Sequence, residues 1–492
     1  MRPLVFLSLL LSLFAGYGAI FLPESSSSVA PAHPSNLDGV QLMRLDSASN
    51  VFTLPAQQDG YLIVTNMSQH GQSSSIQVST VPNISAGKNH WTPLNALAPL
   101  TTSPQPVSAP RQIEDRIVED NPQKERAFFL HASSLALNDP RGYQLVKANL
   151  LIEGELTRVY LDHNCEQDEQ HLANAREIVR ALDDRIIPAA TKLSGPFADI
   201  DEDGKLAVLL TPTLERMQGG RNSLKGFVRA SDFCKHYPRP FGNCADVIYI
   251  NSECPPTTNY LTLLAHEYWH VLQFSHRLAN PLSVKELQED WICEGTAHLA
   301  EFRLGGDGNN LEHRITTWLD APEQAPLVVP DYYTAGLWRH DGCRGGLFLF
   351  FRWCETQYGP TFLTNLLNAS GTGTESLEEV TGESFETLHQ HSLVGILRES
   401  LNQTAHSDRL KRLDEQVFND ISLSQLTLHV IEPSSPLKTE LQATSSTFLK
   451  VSGETAVRIQ SDEQVTLRVM FVPAEVDASQ TVVNKPTSRV TR

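Results

Sequence analysis

The most informative part of the sequence is Leu261-Thr-Leu-Leu-Ala-His266-Glu267-Tyr-Trp-His270-Val-Leu-Gln-Phe274. Two histidines stand four positions apart in it, and residues four apart share one face of an α-helix. Both imidazoles can therefore reach a single cation. The surrounding apolar residues are typical of a helix that is buried against a core. The stretch predicts a helix that supplies two metal ligands, His266 and His270.

Glu267 lies between the two histidines and is the candidate general base. A glutamate at this place in the HExxH pattern can take a proton from water bound at the metal. The pattern indicates Zn²⁺, because two imidazoles and one further ligand leave an open position for water. The residues therefore predict one catalytic zinc ion and hydrolysis of a peptide bond, with a protein or peptide as the substrate.

Two residues are candidates for the third ligand. His276 stands at the HExxHxxxxxH spacing of the metzincin peptidases, but those enzymes place glycine where this chain has Gln273 and need a methionine turn downstream. The only methionine after the motif is Met470. Glu294 lies on a second predicted helix among apolar residues, where an unpaired carboxylate would be costly. Glu294 is favoured, and a metzincin-type peptidase with His276 as third ligand stays the alternative.

The pattern of apolar residues divides the chain into regions. Residues 33–150 are rich in Ser, Thr, Pro and Gln with short alternating runs, which predicts a β-rich N-terminal domain or a propeptide. Residues 151–423 contain the metal motif and form the predicted metallopeptidase domain, while residues 424–492 predict a small C-terminal β domain. Separate helical and strand regions make the predicted fold class α+β. Helical spacing is clearest over residues 169–187, 260–276, 290–303 and 345–358.

The N-terminus predicts export of the chain. Arg2 precedes an apolar run over residues 4–22 and small residues follow, so residues 1–32 are predicted to be a signal peptide. The run is nearly long enough to span a bilayer, which makes an uncleaved N-terminal membrane anchor the alternative. A positively charged residue such as Arg2 stays on the cytoplasmic side of the membrane, so the rest of the chain is translocated. Both a signal peptide and an anchor therefore predict a secreted, periplasmic or otherwise extracytoplasmic protein.

The net charge and the cysteine content indicate which partners and which disulfides to expect. The 492 residues carry a formal net charge of -18, and an acidic surface repels phosphate backbones, so no nucleic-acid partner is expected. An oxidising compartment would allow the 7 cysteines to form disulfides, with at least one left over. A bridge is predicted in the stretch that holds Cys234, Cys244 and Cys254.

Three stretches carry a resemblance to known peptidases. They are Asp199-Ile-Asp-Glu-Asp-Gly-Lys205, Thr262-Leu-Leu-Ala-His-Glu-Tyr268 and Trp291-Ile-Cys-Glu-Gly-Thr-Ala297. The third resembles the helix on which gluzincin peptidases carry the glutamate that is their third zinc ligand. The whole set is most similar to hyicolysin-type bacterial secreted peptidases, over roughly residues 155–400. The resemblance implies a thermolysin-like zincin catalytic domain, one catalytic Zn²⁺ held in part by Glu294, and a secreted zinc-dependent endopeptidase.

The resemblance leaves several roles open. Such families often place a tyrosine at the start of a later helix, where it assists the oxyanion, but here that region reads His340-Asp-Gly-Cys-Arg344. Glu301 or Asp290 is predicted to orient a ligand histidine from behind. The candidate oxyanion donors are Tyr332, Tyr333, His340 and Arg344.

A second metal and a second function are the remaining expectations. Asp199, Asp201 and Asp203 begin like an EF-hand calcium loop, but Leu210 stands where the twelfth-position glutamate belongs and a strand is predicted to follow. A Ca²⁺ site there is a secondary expectation, with a polar turn as the alternative. The alternative to an enzyme is a non-catalytic cell-surface or binding protein that retains a zincin fold. Because every residue of the metal motif is present, the sequence favours the enzyme.

Overall fold

The structure is a computed structural model. It describes residues 37, 39–45, 49–68, 71–81, 91–94, 124–133, 135–217, 224–255, 257–279, 286–305, 309–332, 335–337, 340–405, 426–432, 435–453, 455–461 and 465–474. The signal peptide or anchor predicted at residues 1–32 lies outside the described residues. Within the ranges just given, no helix combines the length and the apolar character that crossing a membrane requires.

The described elements form strand-rich segments at both ends of the chain and a largely helical segment between them. The strands are β1 (Gln41–Leu45), β2 (Ser49–Thr53), β3 (Gly60–Asn66), β4 (Ser74–Val81), β5 (Thr92–Pro93), β6 (Glu125–His131), β7 (Tyr143–Glu153), β8 (Thr157–Asp162), β9 (Leu206–Thr211), β10 (Gly226–Val228), β11 (Val247–Asn251), β12 (His429–Val430), β13 (Leu437–Leu441), β14 (Ser446–Val451), β15 (Ala456–Ser461) and β16 (Leu467–Pro473). The α-helices are α1 (Glu169–Ala181), α2 (Ile187–Ser194), α3 (Thr213–Arg216), α4 (Tyr260–Leu278), α5 (Asp290–Ala300), α6 (Asn309–Asp320), α7 (Asp341–Tyr358), α8 (Phe362–Asn368), α9 (Gly373–Thr381) and α10 (Phe385–Ala405). Two π-helical segments, Leu182–Ile186 and Glu301–Gly305, follow α1 and α5.

Strands from both ends of the chain build one β-sandwich. Its larger sheet has the order β12-β14-β3-β16-β1-β5, and its smaller sheet has the order β13-β4-β15-β2. Leu62, Val469 and Ile459 belong to the hydrophobic core that these strands share. Other residues of the larger sheet join the core of the helices, where the ring of Phe448 lies 6.2 Å from that of Trp318 in α6.

The sandwich corrects the predicted division into separate N-terminal and C-terminal β domains. β3 lies between β14 and β16, and β4 lies between β13 and β15, so the two ends of the chain share their sheets. The predicted boundary at residue 150 also differs, because β6 and β7 belong to the sheet of β8. Each terminal segment has strand edges that the other covers, and a local sequence pattern carries no information on such distant pairing.

The sheet behind the metal motif is mixed, with the order β10-β11-β9-β8-β7-β6. β8, β9 and β11 run parallel, while β10, β7 and β6 are antiparallel to their neighbours. Side chains alternate between its faces: Val208 and Leu210 enter the core shared with the helices, whereas Ala207 and Leu209 enter a smaller core on the other face. Because both faces are covered, β9 reads as a continuous apolar run.

α4 connects this sheet to the metal motif. It packs against β10, β11 and α5, and it buries Leu264, Tyr268 and Trp269. Its first turn is capped by Asn259, whose side chain accepts the backbone N–H of Thr262 at 3.2 Å. α5 packs in turn against α7. The motif face of α4 is therefore held against a second helix.

Two predicted helices contain a π-helical segment. The prediction over residues 169–187 covers α1 and Leu182–Ile186, and the prediction over residues 290–303 covers α5 and part of Glu301–Gly305. A π turn has wider hydrogen bonding than an α turn and redirects the side chains that follow it. Glu301 is the first residue of the segment that follows α5.

The cysteines correct another prediction. All 7 are free thiols in the structure, so no bridge joins Cys234, Cys244 or Cys254. Cys343 and Cys354 are buried in α7 and pack there as small apolar side chains.

Candidate metal centre

Side chains from α4 and α5 converge on one point. His270 Nε2 lies 3.2 Å from His266 Nε2. Glu294 places Oε2 3.6 Å from His266 Nε2 and Oε1 3.6 Å from His270 Nε2. All three side chains are buried. The two histidines are one helical turn apart and α5 packs on the same region of α4, so the structure brings the three predicted ligands together.

Gly295 allows α5 to pack closely against α7 while Glu294 faces α4. A Cβ atom on Gly295 would lie 2.4 Å from the ring of Phe351 in α7, far inside van der Waals contact. With only hydrogen at that position, α5 seats directly against α7 and keeps Glu294 facing α4. The Glu-Gly pair of the sequence therefore has a packing reason as well as a chemical one.

Glu301 holds His266 from behind. The Nδ1–H of His266 donates to Glu301 Oε1 at 2.7 Å, and the Nδ1–H of His298 donates to the same oxygen at 2.7 Å. Asn310 Nδ2 donates to Oε2 of this carboxylate at 2.8 Å. A carboxylate in this position fixes the tautomer and the orientation of the imidazole, leaving the Nε2 lone pair for a cation. Glu301 thus lies where the sequence predicted an orienting group.

His298 is a member of this network that was not predicted from the sequence. It is fully buried, and its Nε2 forms no hydrogen bond with a described residue. Burial lowers the pKa of His298 to about 3, so its ring stays neutral. His298 stands four residues after Glu294 on α5, and this spacing is the signal that could have indicated it.

Gln273 orients His270 in the way that Glu301 orients His266. The Nδ1–H of His270 donates to Gln273 Oε1 at 2.8 Å. The amide is held in turn, because Gln273 Nε2 donates to Thr296 Oγ1 at 2.8 Å and to the Cys293 carbonyl at 3.2 Å. The glutamine that breaks the metzincin pattern is therefore in contact with a predicted ligand and can orient it.

The donor set fits a divalent cation such as Zn²⁺. With both Nδ1 atoms in hydrogen bonds, the two Nε2 lone pairs face each other, an arrangement that favours a positive charge between them. Glu294 Oε2 is buried and forms no hydrogen bond with a described residue. Burial alone would lower the pKa of His266, but Glu294 and Glu301 raise it to about 10. The point therefore favours positive charge, and two imidazoles with a carboxylate are ligands that zinc accepts.

Glu267 lines the same cavity as the ligands. Its side chain is buried, and burial is the largest cause that raises its pKa to about 7. A carboxyl group with a pKa near neutrality can accept a proton and release it again. Gly226 of β10 makes room beside it, since a Cβ atom there would lie 3.3 Å from Glu267 Cγ.

A cavity of about 830 Å³ opens onto the ligands and the base. Its walls come from α4, α5 and α7, and the strand β10 contributes Gly226, Phe227 and Val228. Among the strands that are described, β10 pairs with β11 alone, so it is an edge strand. A strand edge offers backbone N–H and C=O groups that an extended peptide can pair with.

Comparisons with known proteins give a distant similarity. No protein-family model matches the sequence. The chain is similar to the neutral metalloprotease ShpI of Staphylococcus hyicus, with 23% identity over 287 residues. This chain is a distant relative of a metalloprotease. The match covers 53% of this chain and only 60% of the relative, so it supports a metallopeptidase relationship without covering the whole of that protein.

The candidate oxyanion donors lie in different places. Arg344, in the first turn of α7, lines the cavity and places a guanidinium nitrogen 3.4 Å from Glu294 Oε2. His340 instead caps α7, where its Nδ1 accepts the backbone N–H of Cys343 at 3.1 Å, and it lines a different cavity. The structure therefore does not bring His340 to the metal centre. Tyr333 lies outside the described residues.

Tyr332, Asp290 and His276 were candidates for the oxyanion donor, the orienting carboxylate and the third ligand, respectively. Tyr332 is fully buried, and its backbone N–H donates to Asp290 Oδ2 at 3.0 Å. His276 lies at the C-terminal end of α4, with Nδ1 3.2 Å from Asn368 Oδ1. Glu294, and not His276, is gathered with the two imidazoles.

The predicted calcium loop forms ion pairs with arginines. Carboxylate oxygens of Asp199, Asp201 and Asp203 lie within 4.8 Å of one another. Arg126 pairs with Asp201 and lies 3.6 Å from Asp203 Oδ2, while Arg158 lies 2.7 Å from the same oxygen. These guanidinium groups compete with a cation for the carboxylates. A Ca²⁺ site at this loop stays a prediction.

Proposed function

We propose that this protein is a secreted zinc-dependent endopeptidase of the gluzincin type. The observation that carries the proposal is the convergence of His266, His270 and Glu294 at a cavity that Glu267 also lines. The distant similarity to a neutral metalloprotease supports the same class of reaction. Secretion rests on the sequence pattern of residues 1–32 alone.

The fold proposed around the centre is that of a thermolysin-like zincin. Its support is a mixed sheet whose edge strand β10 lies beside the HExxH helix α4, with the third carboxylate on the next helix, α5. The distance between Glu294 and the two imidazoles supports the gluzincin ligand set over the metzincin alternative.

The chain's own residues supply the proton transfer and the electrostatic stabilisation. Zn²⁺ held by the three ligands would polarise the scissile carbonyl and activate water. Glu267 accepts a proton from the attacking water and later delivers it to the leaving amine. Arg344 lines the same cavity, where its N–H groups can stabilise the oxygen that gains negative charge. Glu301 and Gln273 keep His266 and His270 in one orientation throughout.

An extended peptide is the substrate class that this cavity fits best. Its backbone can pair with the free edge of β10, which places a peptide bond beside Glu267. Backbone pairing is independent of side chains, so binding of this kind suits a protease that accepts many sequences. Side-chain preference would come from the cavity walls on α4 and α7.

The deciding experiment separates the base from the ligands. Glu267→Gln keeps the shape of the side chain and removes the proton acceptor, so zinc should stay bound while peptidase activity falls by about 100- to 10,000-fold. His270→Ala should lose both zinc and activity, because a two-ligand site binds metal poorly. Glu312→Gln, on an exposed position of α6, is the matched control and should change neither. Zinc content and cleavage of an unfolded protein are measured on the same preparations.

Two outcomes would contradict the proposal in different ways. Cleavage by Glu267→Gln at the parent rate would mean that Glu267 is not the base. A parent protein that binds zinc but cleaves no protein substrate would favour the non-catalytic binding protein with a zincin fold.

A further inference from the structure

A second group of side chains that could hold a metal ion lies after β8 and after β11, outside the candidate metal centre. Cys165 follows β8 and His171 lies in the first turn of α1, while Glu253 follows β11. One donor atom from each of the three side chains lies within 4.8 Å of the others. β8, β9 and β11 are parallel, and loops at the carboxyl ends of parallel strands are a common place for ligand sites.

His171 and Cys165 each contact a neighbouring polar side chain. His171 Nδ1 lies 2.8 Å from Oδ1 of Asp168, the exposed residue that caps α1. Cys165 Sγ lies 3.4 Å from Ser252 Oγ, the weak contact of a thiol with a hydroxyl. A cation bound at this cluster would compete with the exposed Asp168 carboxylate for the His171 ring.

The charges around Cys165 also favour a cation. Burial raises the pKa of the Cys165 thiol, and the hydrogen bond to Ser252 offsets only part of that effect. Three neighbouring carboxylates raise the same pKa further: Asp162, Glu253 and Asp168. A divalent cation placed among these groups would reverse the local charge and stabilise the thiolate.

We propose that Cys165, His171 and Glu253 bind a zinc ion that is distinct from the candidate metal centre of α4 and α5. A thiolate, an imidazole and a carboxylate together form a donor set that suits zinc better than calcium or magnesium. None of the three residues is shared with the first centre. The ion would tie the loop after β8 to the loop that leads into α4, and so hold the start of the helix that carries His266 and His270.

Cobalt is the probe that separates the two centres. Metal-free full-length protein is titrated with Co²⁺ while its absorption spectrum is recorded. The first centre has two imidazoles and a carboxylate, so a thiolate-to-cobalt charge-transfer band in the near ultraviolet would report the second site. The parent should show this band and bind cobalt at both centres. Cys165→Ser should lose the band and one of the two binding events.

Control variants tie the band to its source. Cys234→Ser removes another half-buried free thiol that belongs to none of the described metal-binding clusters, and it should keep the band. His171→Ala should also lose the band, which tests the site again if Cys165→Ser fails to fold. His270→Ala should keep the band and lose the other binding event, so failure of the proposed peptidase centre is seen separately.

Two results of the cobalt titration would contradict the second metal site. A parent with no thiolate band at saturating cobalt would overturn the second site. A band that survives Cys165→Ser and disappears in Cys234→Ser would overturn it as well. Retention of the band in Cys234→Ser, with its loss in both Cys165→Ser and His171→Ala, is the supporting result.

Discussion

Each candidate ligand histidine has two ring nitrogens, and the Nδ1 atom of each forms a hydrogen bond with a neighbouring side chain. His266 gives its Nδ1–H to Glu301, and His270 gives its Nδ1–H to Gln273, so both rings present Nε2 to the same point. The partners differ in charge: the carboxylate also raises the basicity of its ring, whereas the neutral amide chiefly fixes orientation. Removing Gln273 therefore tests orientation with little change in charge.

Gln273→Ala should weaken zinc binding by about 10- to 100-fold, because the His270 ring loses the acceptor that fixes its orientation. Competition with a chromophoric chelator measures the affinity. Gln390→Ala is the control, since Gln390 is also a buried amide but donates to Glu386 in α10. An equal loss of zinc affinity in both variants would mean that packing, and not orientation of His270, is responsible.

Some residues of the candidate metal centre could be identified from the sequence, and others could not. His266, Glu267 and His270 form a local pattern, and their convergence needs only one helix. Glu294 was indicated by its apolar neighbours and by the resemblance to gluzincins, and it does lie beside the two imidazoles. His340 was placed near the site by its position before α7, but it turns inward to cap that helix. The direction of a cap residue depends on the backbone that precedes it, which no spacing rule describes.

At the scale of elements, the centre depends on how closely α5, α6 and α7 approach one another. Gly295 brings α5 against the ring of Phe351, and Gly345 brings α7 against the backbone of α6. A Cβ atom on Gly345 would lie 2.1 Å from the carbonyl oxygen of Arg314. Backbone atoms cannot move aside as a flexible side chain can, so this contact fixes the distance between the two helices.

Gly345→Ala should lower the free energy of unfolding by about 2 kcal/mol, because separating α6 and α7 to admit the methyl group costs about 3 kcal/mol, the upper end for overpacking. The higher helix propensity of alanine, about 1 kcal/mol, offsets only part of this cost. Gly342→Ala in the same helix is the control, since its nearest neighbours are side-chain atoms at 3.1 Å or more. Urea denaturation measures both variants. Equal stability of the two would contradict the proposed backbone contact.

The sequence predicted the positions of the long helices better than it predicted short strands or the π-helical segments within helices. α4 and α7 lie where apolar spacing predicted helices, whereas β10, β11 and α6 were not predicted. β10 has three residues, too few for a period to be recognised. The π-helical segment that begins at Glu301 packs against α4 and α5, and the sequence pattern did not predict this interruption of the helix.

Across the described molecule, the first and last strands, β1 and β16, are neighbours in the larger sheet of the sandwich. β16 lies between β3 and β1, and β15 lies between β4 and β2, so C-terminal strands lie between N-terminal strands in both sheets. The sandwich also contacts the helices, where Arg468 of β16 donates to Glu386 of α10 at 2.6 Å. Sequence patterns predicted strands at both ends but not their pairing, because pairing over this separation depends on the folded helices between them.

The alternating strand order predicts how truncation will act. A chain that ends at residue 405 lacks β12 to β16, so β3 and β4 lose both of their neighbours in the sheets. Unpaired strand edges and an exposed apolar face should make this chain insoluble or give it a melting temperature at least about 10 °C lower, as the loss of several kcal/mol implies. A chain that ends at residue 474 keeps every described strand pairing and is the matched control.

Soluble yield and thermal melting by circular dichroism measure the effect in both chains. The chain that ends at 474 should melt with the full-length protein, and the chain that ends at 405 should not. A soluble 405-residue chain with the parent melting temperature would mean that the helical region and the strands β1 to β5 are stable without their C-terminal partners. In that case the sandwich would be an attached module, and the metal centre between α4 and α5 would not depend on it. Zinc content of the same preparations distinguishes the two cases, because the ligands assemble only when α4 and α5 are packed together.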